Sequence, residues 1–87
     1  MTDEDVQLLR QLGRRLRLLR LTREMTQEQL GAATGMSRSF ISVLEKGRAG
    51  GCDVVRMVRL ADALGVTVAH LLGHNDPRRD NEPAPES

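Results

Sequence analysis

Val6, Leu9, Leu12, Leu16 and Leu19 recur at spacings of three and four, with charged and polar residues between them. That period puts them on one side of a helix, and it predicts one long helix from about Asp3 to Leu21. Thr2 can cap it, and Asp3, Glu4 and Asp5 fill its first turn, where the positive end of the helix dipole favours acids. A second unit runs from Thr26 to Gly47. Thr26 can cap a short helix, with Gln29 placed to close a capping box. Leu30 faces inward, and Gly31 carries no side chain where a neighbouring helix must come close. Gly35 marks a turn, because glycine adopts the left-handed conformation without steric cost. Ser37 can cap the next helix, whose Ile41 and Leu44 lie on one side. Asp53 can cap a fourth helix running to about Leu64, with Val54, Met57, Val58, Leu60, Ala61 and Leu64 as its inner face. Gly65 ends it, and Thr67 can cap a fifth, Val68 to Leu72, with Leu71 and Leu72 closing the core.

The pattern therefore predicts an all-α chain, a compact bundle of about five helices. From Asn75 onward the sequence is polar, proline-bearing and unpatterned. Residues 1–74 read as one domain and 75–87 as a disordered tail.

The third helix is unusual on its other side, which carries Arg38, Ser39, Ser42 and Val43. A helix that only packs would not choose that set. One that lies in a DNA groove could. Charge distribution points the same way. Net charge is only +1, but residues 10–74 hold eleven cations against five anions, while both ends are acidic. A basic body suits a partner made of phosphates, and the bland alternative is a solvated surface.

Composition narrows the classes. The chain has 87 residues, one Phe, no Trp and no Tyr, and its prolines fall only at 77, 83 and 85. A lean helical core fits that better than a β-sandwich. One cysteine excludes an internal disulfide framework and fits a reducing cytoplasm. No stretch is long and apolar enough for a membrane span or the core of a signal peptide.

The stretch 26–47 resembles the helix-turn-helix of the phage-repressor and Cro-like class, the xenobiotic-response-element family of bacterial and phage regulators. The resemblance is carried by Thr26-Gln27, Leu30-Gly31, Gly35-Met36-Ser37, Ile41 and Leu44-Glu45-Lys46-Gly47. Leu12-Gly13, Leu16 and Arg20 resemble the family's first helix, and Leu60-Ala61, Ala63 to Val66 and Leu71-Leu72 its last two. It covers roughly residues 9 to 73. One departure stands out: Ala49, Gly50, Gly51 and Cys52 follow the motif where the family often has polar residues and a proline. A more mobile loop is expected there.

The resemblance implies a lambda-repressor-like fold and a transcriptional regulator, most simply a repressor, that binds double-stranded DNA, commonly as a dimer on two-fold sites. Arg38, Ser39, Ser42 and Val43 become the base-reading candidates. Arg38 can fork onto guanine O6 and N7, or it can hold a phosphate and carry no sequence information. Ser39 and Ser42 can serve several bases, and Val43 can touch a thymine methyl. Gln27, Ser37, Lys46 and Arg48 are the phosphate candidates; for Gln27 an ordinary exposed helix position is the alternative. The resemblance also implies an ion pair between Arg20 and Glu45 that sets the angle of the third helix. Phe40 either wedges against the sugar-phosphate backbone or covers the second helix.

Val6, Leu8 and Leu9 are extra apolar residues that either pack on the C-terminal helix or form a homodimer seam. His70 and His74, four apart, with Cys52 as a third ligand, lack a complete zinc set, and Cys52 has no evident base. No cofactor, metal or catalytic residue is expected, and the chain reads as a binding protein rather than an enzyme. Its length leaves no room for a ligand-sensing domain. The rival function is a protein-interaction module, such as an antitoxin or a co-activator built on the same fold.

Overall fold

A computed structural model describes residues 2–48 and 53–73. Five helices follow in order: α1 (Asp3–Thr22), α2 (Gln27–Thr34), α3 (Arg38–Glu45), α4 (Val54–Leu64) and α5 (Val68–Leu71). No strand occurs among the described residues. The expected tail and the 49–52 loop lie outside them.

Each helix starts on a side chain that accepts from the backbone three residues on. Thr2 and Thr26 form full capping boxes with Asp5 and Gln29. Ser37, Asp53 and Thr67 cap α3, α4 and α5 through Phe40, Arg56 and His70 N–H groups. Such caps satisfy one of the four donors a helix start leaves unpaired. At the end of α1 the chain turns through Glu24, which sits at φ 57. This is a left-handed turn without glycine.

Leu16, Leu30, Ile41, Leu44, Leu60, Leu64 and Leu71 are fully buried, so every helix contributes to one core. Leu12, Leu19, Met25, Met36, Phe40, Ala63, Val66 and Val68 pack around it. Helix α1 lies against α3 and α5, while α2 lies against α3 and α4. Arg23 adds a polar tie across the bundle, its Nε donating to the Leu64 carbonyl at 2.8 Å. No described helix is long and apolar enough to cross a membrane.

Three expected core positions are corrected. Val54 is 76% exposed, and Val58 and Leu72 are exposed as well. For Val58 and Leu72 the reason is angular, whereas Val54 is the first residue of α4 and lies at the open end of its apolar stripe. Met57, Leu60, Ala61 and Leu64 already fill an apolar stripe of about 100°, with Val58 at its margin. Successive residues on a helix stand about 100° apart, so with Leu71 inward Leu72 turns out. Leu8 is 62% exposed, while Val6 and Leu9 are half-buried; none of the three is among the side chains packed on the core.

Candidate nucleic-acid interface

The capping box at Thr26 uses the N–H groups of Thr26 and Gln29. Those of Gln27 and Glu28 have no partner within the helix and point out of its start. The turn that follows α2 is tight. Gly35 sits at φ 76, and the Met36 N–H donates to the Gly31 carbonyl at 2.9 Å. A Cβ on Gly31 would stand 2.5 Å from the Met36 carbonyl oxygen. The close approach that demands glycine there is to the turn itself, not to the body of α3.

Helix α3 buries Ile41 and Leu44. Arg38, Ser39 and Val43 are exposed on its outer side and Ser42 is half-buried. Ser37 is exposed, with its Oγ accepting from the Phe40 N–H at 3.0 Å. Phe40 is half-buried. It packs on the core, and its ring lies 5.0 Å beneath the Arg56 guanidinium of α4. A shallow open depression lined by Arg20, Met25, Thr26, Gln27, Glu28 and Arg38 brings the start of α2 beside the start of α3. Gln27 and Arg38 therefore share one surface.

The far end of α3 is held from beneath. Arg20 Nε donates to Glu45 Oε2 at 2.5 Å and Nη2 to Oε1 at 2.9 Å. The two side chains are only 9% and 4% exposed. Glu45's hydrogen bonds raise the pKa of Arg20 above its ordinary value, and burial opposes them. The third guanidinium nitrogen, Nη1, donates to the Met25 carbonyl at 2.8 Å. Gln27 Nε2 donates to Glu45 Oε1 at 3.1 Å. The buried Arg20–Glu45 pair thus ties α1, the α1–α2 link, the start of α2 and the end of α3. This engagement of Gln27 was not read from sequence. It commits one amide hydrogen inward.

Glycine sets the spacing of the same contact. A Cβ at Gly13 would lie 2.5 Å from the Leu44 carbonyl oxygen and 2.6 Å from that of Glu45. These are backbone atoms that cannot rotate away. A lone glycine amid a helical pattern is the sequence signal that could have found this contact. Helix α3 then stops in a Schellman turn. Gly47, at φ 73, donates to the Leu44 carbonyl at 3.0 Å, and Arg48 N–H to that of Val43 at 3.1 Å. Lys46 and Arg48 are exposed on either side of it.

Among the described residues no group of His, Cys, Asp and Glu could hold a metal ion. Cys52 and His74 lie outside them.

A family model described as "Helix-turn-helix domain" matches residues 11–72. An uncharacterized HTH-type transcriptional regulator of Sinorhizobium fredii, y4dJ, is 35% identical over 65 residues, spanning 75% of this chain and 83% of that protein. Among solved structures, the restriction-modification controller protein C.AhdI from Aeromonas hydrophila is 33% identical with a TM-score of 0.69, over 72% of this chain and 94% of that one. The clp gene regulator ClgR from Corynebacterium glutamicum is 28% identical with a TM-score of 0.72, over 88% and 81%. With its capped two-helix turn and five-helix frame, the chain belongs to the helix-turn-helix domain family.

Proposed function

We propose that this protein is a sequence-specific regulator of transcription that lays α3 in the major groove of double-stranded DNA, most simply as a repressor. The observation that supports this best is the division of α3: its inner side and far end are locked, while Arg38, Ser39 and Val43 stand exposed beside the start of α2. In this reading Arg38 is the principal base reader, forking onto guanine, with Ser39, Ser42 and Val43 next to it. The start of α2, with Gln27, holds one phosphate strand. Ser37, Lys46 and Arg48 are further backbone contacts, with Ser37 already spending one lone pair on its cap. Such a protein acts where the DNA is, in the cytoplasm, and carries out no catalysis of its own.

A homodimer on two half-sites belongs to the same proposal. The exposure of Leu8 supports it, since an apolar side chain left open at the start of α1 gains from a second copy. Sedimentation at micromolar concentration should then find a dimer, and a monomer there would remove the seam from the account.

Duplex binding measured across salt concentrations tests the function. Counterion release makes affinity for phosphates fall steeply with salt, whereas a protein-interaction module of the antitoxin or co-activator kind has no such slope on duplex. Absence of salt-dependent duplex binding would favour that second class.

A further inference from the structure

We propose that Arg10, on α1 and outside the helix-turn-helix, is a contact to the DNA phosphate backbone and completes a cationic cluster with Lys46 and Arg48 at the far end of α3. The proposal rests on the DNA-binding reading above and deepens it.

The placement follows from Gly47. A Cβ there would lie 2.8 Å from Arg10 Cα and 3.1 Å from its Cγ, so the Schellman turn is seated directly on the Arg10 backbone and the root of its side chain. Glycine is required at that point twice over, by the approach and by φ 73. Together with Gly13 against the Leu44 and Glu45 carbonyls, this fixes the register of α1 on the end of α3. Arg10 is therefore held next to Lys46 and Arg48, which flank Gly47 in the chain.

Charge gives the ligand. Arg10, Lys46 and Arg48 are all exposed, and among the described residues none of the three has a side-chain hydrogen bond or ion pair. Along α1 the positions three and four residues from Arg10 are Val6, Gln7, Gly13 and Arg14, so no acid is within helical reach. The negative end of α3 is equivalent to only about half an elementary charge and so does not account for three cations. An unneutralised cluster of this kind is an anion site. Length says which anion. The eight residues of α3 span about 12 Å, close to the ~12 Å width of the major groove. With the Arg38 end on the bases, the Gly47 end meets the groove wall, which is phosphodiester.

The test is fluorescence anisotropy of a labelled mixed-sequence duplex about two helical turns long, titrated with the full chain from about 50 to 200 mM salt. Wild type, Arg10→Gln and Arg10→Lys are compared. The plot of log affinity against log salt should be shallower for Arg10→Gln by about 0.9, the value for one phosphate. Over that fourfold rise in salt, the variant then loses about 3-fold less affinity than wild type. Arg10→Lys should keep the wild-type slope. Circular dichroism should show all three equally helical, since glutamine and lysine keep the Cβ and Cγ on which the Gly47 turn rests. Equal slopes for wild type and Arg10→Gln would overturn the proposal while leaving the DNA reading intact. A wild type without salt-dependent binding would overturn both.

Discussion

The two ends of α3 are built on opposite plans. At its C-terminal end, the Glu45 carboxylate accepts three hydrogen bonds from Arg20 and Gln27, Arg20 also donates to the Met25 carbonyl, and Gly13 and Gly47 bring α1 into backbone contact. At its N-terminal end, Ser37 supplies a cap and Arg38 and Ser39 are exposed. The helix is positioned from one end and presents its chemistry at the other. Such a division lets outward side chains change without moving the helix, since none of them holds it in place. It also means that damage to the locked end should appear as lost stability, and damage to the open end as lost recognition.

The largest expected effect breaks the locked end. Arg20→Met leaves the Glu45 carboxylate buried without its partner, and urea denaturation should show a loss of about 3–5 kcal/mol. The double variant Arg20→Met/Glu45→Leu removes both charges and should recover most of that loss, because an apolar pair of similar volume avoids desolvation. Its DNA affinity should stay low if the pair's role is to set the helix angle. Gly13→Ala comes next. In an ordinary helix interior alanine is favoured by about 1 kcal/mol over glycine. Here the sign reverses, and the variant should lose about 1–3 kcal/mol in the same denaturation assay as the carbonyls of α3 are pushed away. Arg38→Ala should leave the melting temperature unchanged and cost about 1–3 kcal/mol of discrimination between bases, read by competition binding. The smallest effect lies away from both ends. Glu24 holds a left-handed conformation that glycine adopts freely, so Glu24→Gly should stabilise the fold by about 0.5–1 kcal/mol in thermal melts, with DNA binding unaltered.

The helices and their starts were legible in the sequence because each rests on local chemistry. Thr2, Thr26, Ser37, Asp53 and Thr67 all cap the helix that follows them, and the leucine period along α1 marks its inward face. The edges of apolar faces were not legible. Val54, Val58 and Leu72 have the right residue type, but exposure depends on which neighbour arrives, and periodicity does not specify that. The Arg20–Glu45 pair spans 25 positions, and only the family resemblance pointed to it. Gln27 donating to Glu45, Arg23 reaching the Leu64 carbonyl and Arg56 over Phe40 were hidden for a related reason. Long polar side chains have many partners within reach, and tertiary packing alone selects one. The base-reading set Arg38, Ser39, Ser42 and Val43 came from the opposite logic, as the residues left over once the packing face of α3 was assigned.

The central claim is that α3 reads DNA through Arg38. Selection from a random duplex pool, with wild type and Arg38→Ala in parallel at two salt concentrations, tests it most directly. The account predicts an enriched motif for wild type and loss of preference at a guanine for Arg38→Ala. No enrichment by wild type at either salt, or the same motif recovered undiminished by Arg38→Ala, would contradict it.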